Sequence, residues 1–239
     1  MNPPKPKPQL SLEALLSAIL DDDQPKAKEL LKSEPALATR LMAEARLCES
    51  KIVHWLYAKD TALHLAAAGH RVEIVRLLLA AGADPNAAAN HRHGTPLHYA
   101  ADGNPTCPEW NAQRQVETIR RLLDAGARIN DQDKNGATPL HRTVRGRCAA
   151  AAQCLLKAGA DATLRNKPGS TPFHLAVQNT GRGGTGEEAA KEAQREIIAG
   201  FLAFGVNPNL RDGKGQTVFD CARSGWIREA LSGKAGERG

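Results

Sequence analysis

The residues of this chain best equipped for chemistry are four arginines, a pair of histidines and a run of glycines. Arg142, Arg145 and Arg147 share the short stretch "RTVRGRC", and Arg182 follows in "TGRGGTGEE". Guanidinium groups so grouped can hold a phosphate or a carboxylate through paired N–H donors. His91 and His93, in "HRHG", would offer two imidazole nitrogens to a metal. No Cys, Asp or Glu stands near them at ligand spacing, so solvated histidines at a loop tip, and no metal, are expected.

Gly181, Gly183 and Gly186 spell a literal G-x-G-x-x-G, the spacing that brings backbone amides against a pyrophosphate. That chemistry needs a buried strand leading in and an acidic residue about 20 positions on. The lead-in "TPFHLAVQN" instead opens with Thr-Pro, a helix-start signal, and the downstream stretch "AGFLAFG" has no carboxylate. A phosphate-binding loop fails too, because Glu187 and Glu188 stand where Lys and Ser/Thr would follow Gly186. Neither a Ser/His/Asp set, a Cys/His set nor a motif of paired carboxylates is present, so no catalysis and no cofactor are expected.

Composition narrows the classes further. Aromatic residues are 4% of the chain against 41% hydrophobic, so the interior must be built from Ala, Leu, Val and Ile, which suits closely packed helices. The net charge of +6 favours acidic partners, but basic and acidic residues are interspersed. Basic runs interleaved with aromatics are missing, which argues against nucleic acid. The five cysteines, Cys48, Cys107, Cys148, Cys154 and Cys221, form no C-x-x-C pair, against both a disulfide framework and a thiolate zinc site. No apolar stretch approaches the ~20 residues of a membrane span, and "MNPPKPKPQL" has no apolar signal region. A reduced, cytoplasmic monomer without a membrane segment is the expectation.

The elements that must position these groups come as a repeat. "TALHLAA" starts at Thr61, "TPLHYAA" at Thr95, "TPLHRTV" at Thr138, "TPFHLAV" at Thr171, and a degenerate "TVFDCAR" at Thr217. Downstream of the first four lie "LLLAAGADPN", "LLDAGARIN", "LLKAGADAT" and "FLAFGVNPN", which put Gly82, Gly126, Gly159 and Gly205 in register. A further glycine series, Gly94, Gly136, Gly169 and Gly215, closes the units. Thr before Pro caps the first turn of a helix, and the glycines suit a left-handed residue just past a helix end. In "RVEIVRLLL", Val72, Val75, Leu78 and Leu79 recur at helical spacing, so one face is apolar.

T-P-L-H followed by a second helix ending in L-L-x-x-G-A-D resembles the ankyrin repeat family, over about Thr61 to Cys221. The resemblance implies that His64, His98, His141 and His174 are structural, bonding within and between repeats. It also implies an all-α solenoid of about six helix-pair units with short β-hairpin fingers. The expected divisions are a disordered proline-rich leader at 1–9 and a divergent capping repeat with connector at 10–60. Repeats follow at 61–94, 95–137, 138–170 and 171–216, then a truncated cap at 217–232 and a frayed tail at 233–239. Residues 42–60 read as helix plus connector, with Trp55 packing on the first full repeat. Composition and long inserts give the chain the look of bacterial ankyrin repeat proteins.

The glycine run now has a place. Thr61 to Gly82 and Thr138 to Gly159 span 21 residues, whereas Thr95 to Gly126 spans 31 and Thr171 to Gly205 spans 34. Two repeats thus carry inserts between their paired helices, and "NTGRGGTGEE" belongs to the second. The resemblance implies a non-catalytic protein-binding module that recognises a partner, acidic by the charge argument, through its fingers and concave inner-helix face. The matching finger residues are His91, Arg92, His93, Asp133, Lys134, Asn135, Lys167 and Lys214. From the inner helices come Tyr99, Asp102, Arg142, Arg145 and Gln178, and Trp110 is added from the first insert. Arg142 replaces an otherwise apolar residue, so its stem should be buried with its head snorkelling to water. The alternative reading is a small-ligand or anion-binding protein whose basic pocket at the insert edge uses Arg145, Arg147 and Arg182.

Overall fold

The computed structural model describes residues 12–49, 51–105, 107–178 and 187–232. Two layers of helices run side by side through it. The inner layer is α1 (Leu12–Asp21), α3 (Ala62–Ala68), α5 (Pro96–Ala101), α7 (Pro139–Arg145), α9 (Pro172–Ala176) and α11 (Val218–Cys221). The outer layer is α2 (Gln24–Ser33), α4 (Val72–Ala80), α6 (Ala112–Asp124), α8 (Ala149–Lys157), α10 (Glu188–Ala203) and α12 (Gly225–Leu231). Each helix packs on the same layer of the neighbouring unit, and those from α1 to α10 also pack on their pair-mates, so the core is one continuous strip. The leader at 1–9, the tail at 233–239, Arg182 and the glycine run lie outside the described residues.

The inner helices α3, α5, α7 and α9 each start on a threonine in extended backbone, and the histidine three residues on completes the cap; at α11 Asp220 takes the histidine's place beside Thr217. At the second repeat the Thr95 amide and hydroxyl both reach His98 Nδ1, at 3.2 and 2.8 Å. With Nδ1 accepting, Nε2 carries the proton and donates to the finger that leads into the next unit, 3.0 Å away at the Ala137 carbonyl. His64, His141 and His174 repeat the pattern toward Gly94, Ser170 and Gln216. Each ring therefore ties the start of its inner helix to the finger that leads into the next repeat. The outer helices α4, α6, α8 and α10 end at glycine: Gly82 and Gly159 both have φ of +90°, where any Cβ is strained. Fingers are bonded to each other by Lys134 N–H to Arg92 O and Lys167 N–H to Asn135 O, both 2.8 Å.

The inserts are absorbed by a side-chain device. In the ordinary repeats the backbone amides of Arg71 and Cys148 donate to the Ala66 and Thr143 carbonyls, both at 2.9 Å, sealing the inner helix. Gln115 and Gln194 occupy the same positions in the insert-bearing repeats, each eleven residues before the helix-ending glycine. Gln115 Nε2 reaches the equivalent Ala100 carbonyl at 3.1 Å, and Gln194 Nε2 reaches that of Ala176 at 2.6 Å. Both glutamines are buried. α6 and α10 also begin upstream of the corresponding start of α4, so helix takes up part of the extra length.

Residues 42–60 depart from the helix-plus-connector expectation. They form an antiparallel hairpin, β1 (Arg46–Glu49) and β2 (Val53–Leu56), with Leu47 opposite Trp55 and Cys48 opposite His54. Alternation explains it: Cys48 and Leu56 point inward and are buried, while Val53 and Trp55 point outward. Met42 and Asp60 close the base through a 2.8 Å backbone bond. Leu56, at 0% exposure, takes the packing role expected of Trp55, which is 51% exposed.

Candidate recognition groove

The hairpin, the C-terminal halves of α5 and α7, and the fingers bound a continuous groove on the inner face. One part is a cavity of about 440 Å³ lined by Leu47, Val53, Trp55 and Tyr57 on the hairpin side and by Arg92, Asp102 and Arg145 opposite. The adjoining part, about 390 Å³, is lined among others by Asn135, Asn166, Lys167 and Pro168 from the fingers. Arg92, Arg142 and Arg145 line both, so they mark the saddle between them.

Beneath the saddle lies a chain of buried and half-buried polar groups. Arg142 donates from Nη1 to Asp102 Oδ2 at 2.5 Å and from Nη2 to Asp133 Oδ2 at 2.8 Å. Burial alone would raise the Asp102 carboxyl, but Arg142, His54 and Arg145 outweigh it and hold the group at about 2. Burial likewise opposes the charge on Arg142, and the two carboxylates reverse the sign, leaving its pKa raised. His54 bridges from the hairpin, with Nε2 3.3 Å from Asp102 Oδ2 and Nδ1 2.8 Å from the Trp55 carbonyl. Its ring lies 4.8 Å from that of Tyr99. The Tyr99 hydroxyl donates to Asp60 Oδ2 at 2.6 Å; burial, then Asp60, raises its pKa.

These contacts sort the expected contact residues. Tyr99, Asp133 and Arg142 are buried and paired, so they shape the groove from below. The expectation that Arg142 snorkels is corrected: its head is the sequestered end, because two carboxylates meet it there. Arg92 and Lys167 face the groove with no carboxylate in ion-pair reach among the described residues, and Arg92 lies over the Tyr57 ring at 5.6 Å. Arg145 is exposed, its nearest carboxylate oxygen 3.8 Å away on Asp102. His91 packs edge-on against Tyr57, and His93 sits exposed at a positive φ of 54°. Lys134 and Lys214 are exposed on their fingers.

Trp110 lies elsewhere, in a cavity of about 250 Å³ between the hairpin turn and the first insert, with its ring against the core. Arg145, Arg147 and Gln178 line a cleft of about 170 Å³ beside Gln194 on the insert edge. His174, Asp212 and Cys221 cluster closely enough for a metal, but both nitrogens of His174 are committed to Thr171 and Gln216. His54, Leu47 and Val53, and the place of Trp55 on the groove wall, escaped the sequence reading because strands of four residues give little alternation to count. Gln115 and Gln194 carried a readable signal, the same residue in register in the two long repeats alone.

Comparison with known proteins agrees with this architecture. The family described as ankyrin repeats (3 copies) matches residues 15–110 and 109–185. Alpha-latrotoxin-Lhe1a of Latrodectus hesperus is 38% identical over 87 residues, covering 36% of this chain and 5% of the toxin. Ankyrin repeat and SOCS box protein 6 of Mus musculus is 38% identical over 80 residues, covering 34% of this chain and 17% of that protein. The chain thus spans a small fraction of these curated relatives. In fold it is similar to an ankyrin repeat domain of Acinetobacter baumannii AYE solved by crystallography. That likeness has a TM-score of 0.64 at 24% identity, over 91% of this chain and 94% of the other. No helix among the described residues is long and apolar enough to cross a membrane. With repeated Thr–His caps, stacked helix pairs and a family match over more than half its length, the chain belongs to the ankyrin repeat family.

Proposed function

We propose that this chain is a non-catalytic recognition module that presents its inner groove to a protein partner. Ankyrin repeats are in general protein–protein interaction modules. The observation that carries the reading here is the pair of cations Arg92 and Lys167, held in a preformed groove without carboxylate partners among the described residues. A surface fixed by caps, histidines bonded to the fingers and finger-to-finger bonds loses little conformational entropy on docking, so a few anchors suffice. Arg145 adds a third, partly compensated charge.

The test is capture from native lysate with the full chain and with an Arg92→Glu/Lys167→Glu variant, compared by mass spectrometry. A protein retained by the wild-type chain and lost from the variant supports the reading. Retention of the same proteins by both removes the groove from the site. The anion-binding alternative draws on Arg145 and Arg147 lining one cleft. Thermal stabilisation by inorganic phosphate or a nucleotide, abolished in Arg147→Ala, would favour it.

A further inference from the structure

The outward face of the hairpin is the feature that a basic groove alone leaves unexplained. Among the described residues the exposed large apolar side chains are Leu41, Leu47, Val53, Trp55 and Phe204, and all but Phe204 lie between 41 and 55. Leu47 and Trp55 face each other across the strands, and Val53 shares their side of the hairpin. Their exposures are 37%, 51% and 69%, and all three line the larger cavity of the groove. Single exposed apolar residues are ordinary, but a cluster on the wall of a cleft marks a contact surface.

The hairpin is not left open for want of a fit. Its other face is fully docked: Leu56 and Cys48 are buried, and His54 is bonded to Asp102. One face is committed, and the other is offered toward Arg92 and Arg145. A second copy of this chain is a poor occupant, because a chain of net charge +6 brings its own excess of cations to a basic groove.

We propose that the groove takes an acidic peptide segment of a partner, with a large apolar side chain against Leu47, Val53 and Trp55 and its carboxylates on Arg92, Arg145 and Lys167. This rests on the groove being the recognition surface and adds the chemistry that the partner must carry. The apolar wall fixes the segment's register, and the cations supply charge complementarity along its length.

The experiment is selection of a displayed library of random peptides on the full chain, followed by affinity measurement on the enriched sequences. The expected result is enrichment of net-negative peptides that share a large aromatic or aliphatic residue. Trp55→Ser and Val53→Ser should each weaken them about tenfold, as should Arg92→Glu/Lys167→Glu. Circular dichroism should show each variant folded, since all these side chains reach the surface. Peptides indifferent to Trp55→Ser and Val53→Ser but lost with the charge reversal would overturn the apolar anchor and leave the groove reading standing. Indifference to every variant would overturn both, as would a selection with no enrichment over an unrelated protein. Enriched basic peptides would overturn the assignment of an acidic partner.

Discussion

Mild acid should destabilise this fold well before its carboxylates titrate, and the reason lies in two histidines. His70 and His98 are buried, with Nε2 donating to the carbonyls of Ala100 and Ala137 at 3.0 Å in each case. Burial, aided at His98 by the Arg142 charge, lowers both from the ordinary 6.5 to about 4. The unfolded chain takes up a proton near 6.5 and the folded chain refuses it until about 4. Stability is therefore fully present above the unfolded value and is lost as pH falls through this window. At about pH 5 the unfolded state gains about 2 kcal/mol per histidine, or ~4 kcal/mol for the pair, relative to about pH 7. His64 and His141, lowered chiefly by burial, act in the same direction. Asp102, at about 2, acts in a more acid window, which isolates the histidine effect. Urea unfolding followed by circular dichroism at several pH values measures the slope directly. In His70→Gln, which keeps a donor for Ala100 without a titrating ring, the loss on acidification should shrink by about 2 kcal/mol. Equal stability of the wild-type chain at both ends of the window, or an identical slope in the variant, would refute the reasoning.

Other substitutions probe the frame and the groove separately. Gln194→Leu leaves the buried Ala176 carbonyl without its side-chain donor and should cost about 1–3 kcal/mol in urea unfolding, whereas Gln115→Leu should cost less, because His70 still donates to the Ala100 carbonyl. Arg142→Met strands the buried Asp133 and the half-buried Asp102 carboxylates and should cost about 3 kcal/mol, whereas Arg145→Ala, at the surface, should stay within about 0.5 kcal/mol of wild type. Thermal melting of the two side by side checks the contrast. Gly159→Val places a β-branched residue at a φ of +90° and should cost more than about 1 kcal/mol, with no effect on peptide affinity in the groove.

The stacked helix pairs were legible because their signals are local and repeated. Thr–Pro opens a helix, the histidine three residues on completes the cap, and a glycine ends the second helix, all at fixed offsets. The groove was less legible because its geometry depends on contacts between units. Arg142 meets Asp102 from forty residues away, and nothing in the local spacing distinguishes that pairing from an arginine reaching into water. The hairpin was missed for a related reason: "RLCE" and "VHWL" are too short to separate period two from helical spacing, and their pairing decides the matter.

The glutamine that closes each long repeat has a consequence for how such a chain can change. Where a backbone amide seals a helix end, the connecting segment must be short and of one conformation. Once an amide side chain performs that closure, the number of residues in between no longer enters the stacking geometry. Segments of foreign sequence and varied size placed between Gly103 and Asn111 should leave the neighbouring units undisturbed, provided Gln115 is retained. The two elongated units are ready-made graft points on an otherwise length-intolerant scaffold.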